Sequence, residues 1–173
     1  KLPEIHIVDR YLETVKNFNI KNDGAGLDYF IPKNDEVGLE MLPETHRKGY
    51  VGFVIGGSYE TKKLPVEKII SICRKIQKPV VLLGGKGDAE NAAKIAAKSG
   101  VNIYNACGKY NINQSASLVK QADRIITHDT GLMHIAAAFH KEIVSIWGNT
   151  IPANCIIIEA VMYGLIPTAI IEN

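Results

Sequence analysis

Short apolar runs alternate with helix-forming stretches between residues 49 and 148, and this alternation constrains the fold more than any other feature. The runs are rich in β-branched residues and almost free of polar residues, as expected of strands buried on both faces. They read GYVGFVIG (49–56), PVVLLG (79–84), VNIYN (101–105), RIITH (124–128) and IVSIWG (143–148). Helices are predicted between them, over residues 65–77, 88–98, 112–122 and 132–139. The pattern predicts an α/β fold with a doubly wound parallel sheet, which is a Rossmann-like layout.

The two ends of the chain do not follow this alternation. Apolar residues recur at helical spacing from Ile5 to Phe18, so residues 1–20 are predicted to form an amphipathic connecting helix. Residues 21–48 carry glycines and prolines among charges and are interpreted as a linker with one short strand at 29–31. The α/β domain then covers residues 49–152. Residues 153–173 are predicted to pack on it, as a helix ending at Gly164 or a strand over 155–158.

Composition disfavours several classes of protein. The 173 residues carry a formal net charge of +2, too weak to indicate nucleic acid as a partner. The three cysteines have no paired spacing that would indicate disulfides or a zinc site, which favours a reducing cytoplasm. We expect no secretion leader and no transmembrane segment, because the apolar tail at 155–171 is interrupted and shorter than the roughly 20 residues of a membrane span.

Ligands of such sheets bind outside the carboxyl ends of the strands, so the loops at 56–64, 84–87, 105–111 and 128–131 are expected to meet at one rim. The stretch THDTGLMHIAAA (127–138) begins a helix there. Asp129 or Thr130 can cap that helix, and Gly131 lets a ligand approach its free N–H groups. A helix amino terminus of this kind favours phosphate, and His134 could add a donor.

Other interpretations of this stretch remain open. Taken separately, Asp129 and His134 are explained at least as well by a helix cap and a partly buried histidine. The D-T-G triplet also occurs in aspartic proteases, although the helix predicted after it argues against that fold. A metal site among His128, His134 and His140 is disfavoured, because spacings of six place successive side chains on different helix faces.

The loop IGGSYETKKLP (55–65) offers two glycines for close backbone approach and two lysines. One lysine aimed inward would neutralise a diphosphate, and the other is expected to be solvated. The loop matches neither GxGxxG nor a P-loop, which argues against a nicotinamide-dependent enzyme.

Two further loops are predicted at the same rim. In GGKGDAEN (84–91), Asp88 is placed to cap the following helix, and the glycine turn could serve packing as readily as a ligand. In NACGKYN (105–111), Tyr110 is either a surface on which a base stacks or a half-buried tyrosine.

Together these loops resemble the carboxyl-terminal half of the ninth glycosyltransferase family, which contains the lipopolysaccharide heptosyltransferases. The D-T-G-L-x-H element followed by alanines and the K-x-x-P entry to the first helix carry the specificity of the resemblance. The matching motifs are VDRYLETV (8–15), GGSYETKKLP (56–65), LLGGKGDAE (82–90), NACGKYN (105–111), HDTGLMHIAAA (128–138) and SIWGNTIP (145–152).

The resemblance implies one half of a two-domain GT-B glycosyltransferase, with the amino-terminal acceptor domain and the catalytic base outside this sequence. It implies that Lys62 binds the donor diphosphate, with Gly57 and Ser58 beside it, and that Asp129 reaches the sugar hydroxyls. No residue is assigned as the catalytic group; Lys62 and Asp129 are candidates for electrostatic or sugar-orienting roles. The remaining donor-binding candidates are Lys86, Tyr110, Thr130, Gly131, Leu132 and His134. Lys86 stands where relatives often carry an acid or proline.

The expected function is donor binding in an inverting glycosyltransferase that transfers heptose from ADP-heptose to a lipopolysaccharide-type acceptor glycolipid. No DxD element appears, so we expect no metal and no cofactor. The parent enzyme would work in the cytoplasm or peripherally on the inner membrane, and this chain alone is expected to be inactive. The alternative is a nucleotide- or nucleotide-sugar-binding module without catalytic activity.

Overall fold

The computed structural model describes residues 7–57, 62–100 and 102–147, together with the backbone of residues 162–165. In this part of the chain the strands are β1 (Val51–Val54), β2 (Val80–Leu83), β3 (Ile103–Asn105), β4 (Arg124–His128), β5 (Ile143–Ile146) and β6 (Met162–Leu165). The helices are α1 (Ile7–Glu13), α2 (Val66–Cys73), α3 (Ala89–Ser99), α4 (Ile112–Gln121) and α5 (Gly131–Ala138).

All six strands form one parallel sheet in the order β3-β2-β1-β4-β5-β6. The order reverses between β1 and β4, and such a switch point is where open α/β sheets bind ligands. The predicted fold class is therefore confirmed.

Two local predictions outside the repeating pattern are wrong. Residues 29–31 form no strand: Tyr29 and Ile31 pack partly against the core, Phe30 is exposed, and the stretch does not join the sheet. Gly164 does not end a helix, since it lies inside β6 and pairs with Ser145 of β5. The alternative strand at 155–158 lies outside the described residues.

Alternation along the strands divides the core into two layers. Phe53 of β1 and Leu82 of β2 face the layer that contains α2 and α3, whereas Val54 and Leu83 face the layer of α4 and α5. Successive strand side chains point to opposite faces, so each strand is buried on both. The apolar runs in the sequence lack polar interruptions for this reason.

The helices are short, and the longest in the described part of the chain is α3 with 11 residues. An Asn111–Gln114 capping box begins α4, and Gly100 in the left-handed region (φ 66°) ends α3. None of the helices described has the length and apolar character needed to cross a membrane.

Residues 29–48 lie against the α4 side of the sheet. The side chains of Val37 and Leu42 are buried in that layer, and the Val37 N–H donates to Ser117 Oγ at 2.9 Å. Asp35 accepts hydrogen bonds from the side chains of Asn111 (2.8 Å) and Asn113 (3.0 Å). These bonds tie the segment to the beginning of α4. The domain boundary near residue 49 stays a prediction.

Candidate functional site

Four loops meet at the carboxyl ends of the strands and enclose a cavity of about 420 Å³. It lies at the switch point between β1 and β4, and each of the four predicted loops contributes to it. The meeting of these loops at one rim is thereby confirmed. The lining residues are Val54, Gly56, Gly57, Gly84, Gly85, Asp88, Tyr110, Asn111, Ile112, Ser115, Thr130, Gly131 and Leu132.

Half of the predicted donor-binding residues line this cavity: Gly57, Tyr110, Thr130, Gly131 and Leu132. Lys62, Lys86, Asp129 and His134 are outside the lining, although Lys62 and Asp129 belong to the same loops. Lys86 is exposed and its backbone lies close to Gly108. Ser58 falls outside the described residues.

The start of α5 is open towards the cavity. Thr130 precedes the helix in an extended conformation and makes no side-chain capping bond, so the expected Thr130 cap is wrong. A Cβ added to Gly131 would meet no heavy atom within 4 Å. The first N–H groups of a helix have no acceptor within the helix and carry the positive end of its dipole. This edge of the cavity is therefore suited to an anion.

Lys62 and Asp129 are joined across the switch point. Lys62 Nζ donates to Asp129 Oδ2 at 2.6 Å, and the two side chains are 27% and 16% exposed. The family resemblance implies that they bind the diphosphate and the sugar of one ligand, respectively. The structure brings them together and bonds one to the other.

Lys63 forms a second pair, with Asp88 of the neighbouring loop. Its Nζ donates to Asp88 Oδ1 at 3.2 Å, and the side chains are 21% and 13% exposed. The expectation that one of the two lysines is solvated is therefore wrong. Asp88 Oδ2 also accepts from the Gly85 N–H at 2.9 Å, and the Asp88 side chain makes no capping bond to α3. The predicted α3 cap is wrong because this carboxylate holds two loops together.

Tyr110 is half-buried, as one of its two interpretations expects, and its role as a stacking surface stays a prediction. The side chain is half-buried and packs against the α4 layer, yet it also lines the cavity. Its hydroxyl lies 3.1 Å from that of Tyr104. Burial and this neighbour raise the pKa of Tyr110 to about 12, so the ring stays neutral at physiological pH.

His128 was considered from the sequence only as a metal ligand, and its actual contact was missed. It is the last residue of β4 and is fully buried, and its Nε2 accepts the Leu64 N–H at 3.0 Å. Burial lowers its pKa to about 4. The period of two along β4 was the available signal, because it places His128 on the same face as the buried Ile126.

Across the described ranges, no three or more His, Cys, Asp or Glu side chains come together in a group that could hold a metal ion. Cys73 and Cys107 are buried, and burial raises the pKa of each thiol, to about 11 and about 12. Neither is present as a reactive thiolate at neutral pH.

The curated proteins that this chain resembles include several heptosyltransferases. Lipooligosaccharide heptosyltransferase 2 of Haemophilus ducreyi is 30% identical over 124 residues, which cover 66% of this chain and 36% of that protein. Lipopolysaccharide heptosyltransferase 2 of Escherichia coli is 32% identical over 77 residues, covering 42% of this chain and 22% of that protein. The chain thus spans well under half the length of these curated relatives.

Two solved structures share the fold at low sequence identity. A family 9 glycosyl transferase from Veillonella parvula matches with a TM-score of 0.80 at 20% identity, covering 95% of this chain and 50% of that one. E. coli heptosyltransferase WaaC with ADP-2-deoxy-2-fluoro heptose matches with a TM-score of 0.66 at 22% identity, covering 94% and 50%. The model of glycosyltransferase family 9 (heptosyltransferase) matches residues 4–159. Because that match covers most of the sequence, this chain belongs to glycosyltransferase family 9, the heptosyltransferase family.

Proposed function

We propose that this chain is the donor-binding part of an inverting glycosyltransferase that transfers heptose from ADP-heptose to a lipopolysaccharide-type acceptor. Family membership supports the reaction class, and the WaaC relative was solved with an ADP-sugar analogue. In this proposal the chain forms one half of a two-domain GT-B enzyme. The acceptor and the catalytic base belong to the other half.

The observation that carries the proposal is the position and lining of the cavity. It lies at the switch point, glycines from two loops let a ligand approach the backbone, and the α5 amino terminus opens onto it. Oriented N–H groups and a helix dipole favour a phosphate-containing ligand. An adjoining lysine would add a full positive charge.

The diphosphate would lie against the start of α5. The backbone N–H groups of Thr130, Gly131 and Leu132 would donate to its oxygens, with His134 and Ser58 as supporting donors. Lys62 would supply the compensating charge. A fixed cation and a helix amino terminus stabilise a leaving diphosphate as its charge develops, and we expect no metal to be needed.

The two ends of the donor would lie on either side of the diphosphate. Asp129 would accept hydrogen bonds from the sugar hydroxyls, and Tyr110 would lie beside the adenine at the opposite wall of the cavity. Lys86 would contact the ribose or a phosphate from the exposed edge. Gly57 would let the diphosphate approach the loop after β1.

Donor binding would exchange the partner of Lys62. In the structure this lysine is bonded to Asp129, so a diphosphate must take over the Lys62 contact while Asp129 turns to the sugar. Because the two side chains are only 27% and 16% exposed, the donor would have to supply replacement contacts for both of them.

Calorimetry with ADP and ADP-heptose tests the proposal on wild type and Lys62→Ala. Loss of a charge-assisted contact should weaken ADP binding by about ten- to a hundredfold. Lys75→Ala is the matched control, because it removes an equal charge from the exposed carboxyl-terminal end of α2, at the opposite end of the sheet. Absence of ADP binding by wild type would reject the proposal, and equal binding by Lys62→Ala would remove Lys62 from the site.

Transfer needs a separate test. The acceptor half of a family member, supplied in trans with ADP-heptose and a lipopolysaccharide acceptor, should restore sugar transfer. Release of ADP without a transferred sugar from a demonstrated complex would favour a binding module instead.

A further inference from the structure

His128 is the only histidine in the described part of the chain with 0% exposure, and it lies where β4 reaches the rim. Its ring is on the α2 and α3 side of the sheet, in line with Ile126. A buried polar side chain is costly unless its atoms are hydrogen-bonded. Nδ1 of this ring has no hydrogen-bond partner among the described residues, so the bond at Nε2 is the contact that indicates what the ring does.

The ring holds the end of the loop between β1 and α2. Its Nε2 accepts the main-chain N–H of Leu64 at 3.0 Å, so in the neutral form the ring proton is on Nδ1. Leu64 directly precedes Pro65, the residue at which α2 is entered. This one bond ties the beginning of α2 to the end of β4.

Both lysine pairs adjoin this bond in sequence and in space. Lys62 and Lys63 immediately precede Leu64, and Asp129, the partner of Lys62, immediately follows His128. The charge of Lys63 lowers the pKa of His128 further, while the charge of Asp88 and the Gly56 carbonyl raise it. Burial is the largest influence and keeps the ring neutral, so Nε2 remains an acceptor at physiological pH.

We propose that His128 is a positioning residue for the donor site: by accepting the Leu64 N–H it fixes the loop that presents Lys62 at the rim beside α5. The inference rests on the proposed function, because it assigns Lys62 to a bound diphosphate. His128 itself does not touch the donor. By holding Leu64, it determines the direction in which the side chain of Lys62 points.

The test compares His128→Phe, which keeps a flat ring without an acceptor, with His128→Gln, whose amide oxygen can replace Nε2. ADP binding by the full 173-residue chain should weaken about tenfold in His128→Phe and stay within about threefold of wild type in His128→Gln. In a Lys62→Ala background, His128→Phe should cause no further loss, because its effect passes through Lys62. Additive losses, or unchanged ADP affinity in His128→Phe, would overturn the proposal.

Tryptic cleavage after Lys62 and Lys63 gives a readout that needs no ligand. Cleavage should be faster in His128→Phe than in wild type and unchanged in His128→Gln. If wild type binds no ADP, the proposed function fails, and unchanged cleavage in His128→Phe then rejects the anchoring role as well. Should His128→Phe fail to fold, judged by Trp147 fluorescence, the shorter His128→Asn takes its place with the same expected outcomes.

Discussion

The adjacent residues Lys62 and Lys63 both form ion pairs, yet their surroundings differ. Lys63 pairs with Asp88, whose second oxygen is bonded to the Gly85 N–H and whose side chain is 13% exposed. Lys62 pairs with Asp129 beside the open start of α5, and both partners are more accessible than those of the Lys63 pair. Asp88 of the first pair lines the cavity and joins two loops, whereas Lys62 and Asp129 lie outside the lining, next to the start of α5.

This difference separates a structural pair from an exchangeable one. Removing Asp88 takes the acceptor from the Gly85 N–H as well as a partner from Lys63, which is destabilising. The two pairs are similarly buried, so a ligand can separate Lys62 from Asp129 only if it supplies replacement contacts for both side chains. Lys62 and Lys63 can thus have different roles, because each pairs with a carboxylate from a different loop.

The largest contrast is expected in stability. Asp88→Ala should lower the free energy of unfolding by about 3 kcal/mol, because it removes a partner of Lys63 and the acceptor of the Gly85 N–H. Asp129→Ala should lower it by less, about 1 to 2 kcal/mol, because it removes a partner of Lys62, whose side chain is the more exposed of the two lysines. Urea unfolding followed by the fluorescence of Trp147, the only tryptophan, measures both. Equal losses would show that the two pairs do not differ in this way.

Acid should destabilise the fold through the buried His128. Its pKa falls from 6.5 in the unfolded chain to about 4 in the fold, so only the unfolded state takes up the proton between these values. Stability should therefore decrease as pH falls from 6.5 to about 4, by about 3 kcal/mol from this residue, with the buried His46 acting in the same direction.

A titration of the His128 ring by NMR sharpens the comparison. Lys63→Met should raise the pKa of His128, because it removes a positive charge that disfavours the protonated ring. Lys62→Met should change it less. A larger change with Lys62→Met would contradict the assignment of Lys63 as the nearer influence.

Two glycines test how tightly each loop is packed. A Cβ on Gly56 would lie 2.6 Å from Asp88 Oδ2 and 3.2 Å from the Gly84 Cα, so Gly56→Ala should cost about 1.5 kcal/mol by displacing the Lys63 partner. A Cβ on Gly57 meets nothing nearer than 3.5 Å, and Gly57→Ala should be close to neutral in stability. Thermal unfolding of the two variants distinguishes them, and equal midpoints would contradict this packing.

The smallest effect concerns ligand choice. Asp129→Asn removes the carboxylate that competes for Lys62, so ADP should bind about threefold more tightly. The advantage of ADP-heptose over ADP should shrink at the same time, if Asp129 contacts the sugar as proposed. Parallel calorimetric titrations give both ratios, and an unchanged ratio between the two ligands would remove Asp129 from the sugar site.

The sheet and its rim were predictable from the sequence because strands buried on both faces leave a clear apolar signal. The range of β4 agrees with its prediction, and the loops meet where the switch-point rule places them. The hydrogen-bond partners of the site residues were harder to predict from the sequence. Asp88 follows a glycine turn, as a capping residue often does, and nothing in the local sequence indicates that Lys63 would approach it from another loop.

Residues 29–48 show a second limit of sequence reasoning. The glycines, prolines and charges of residues 21–48 predict a linker, but Val37 and Leu42 are buried in the layer of α4. Isolated apolar residues in irregular backbone have no period, so their burial depends on a surface formed some 80 residues later in the chain.

The hydrogen bonds that attach Tyr29 and Asp35 to Asn111 and Asn113 also determine where the molecule could bend. From Tyr29 onward the segment is attached to the wall of the cavity and must move with it. Gly24 and Gly26 adopt positive φ in a solvent-exposed stretch just before this attachment, and a Cβ on either would meet nothing within 4 Å. We therefore expect any bending between α1 and the part of the chain that forms the cavity to occur in the few residues around Gly24 and Gly26.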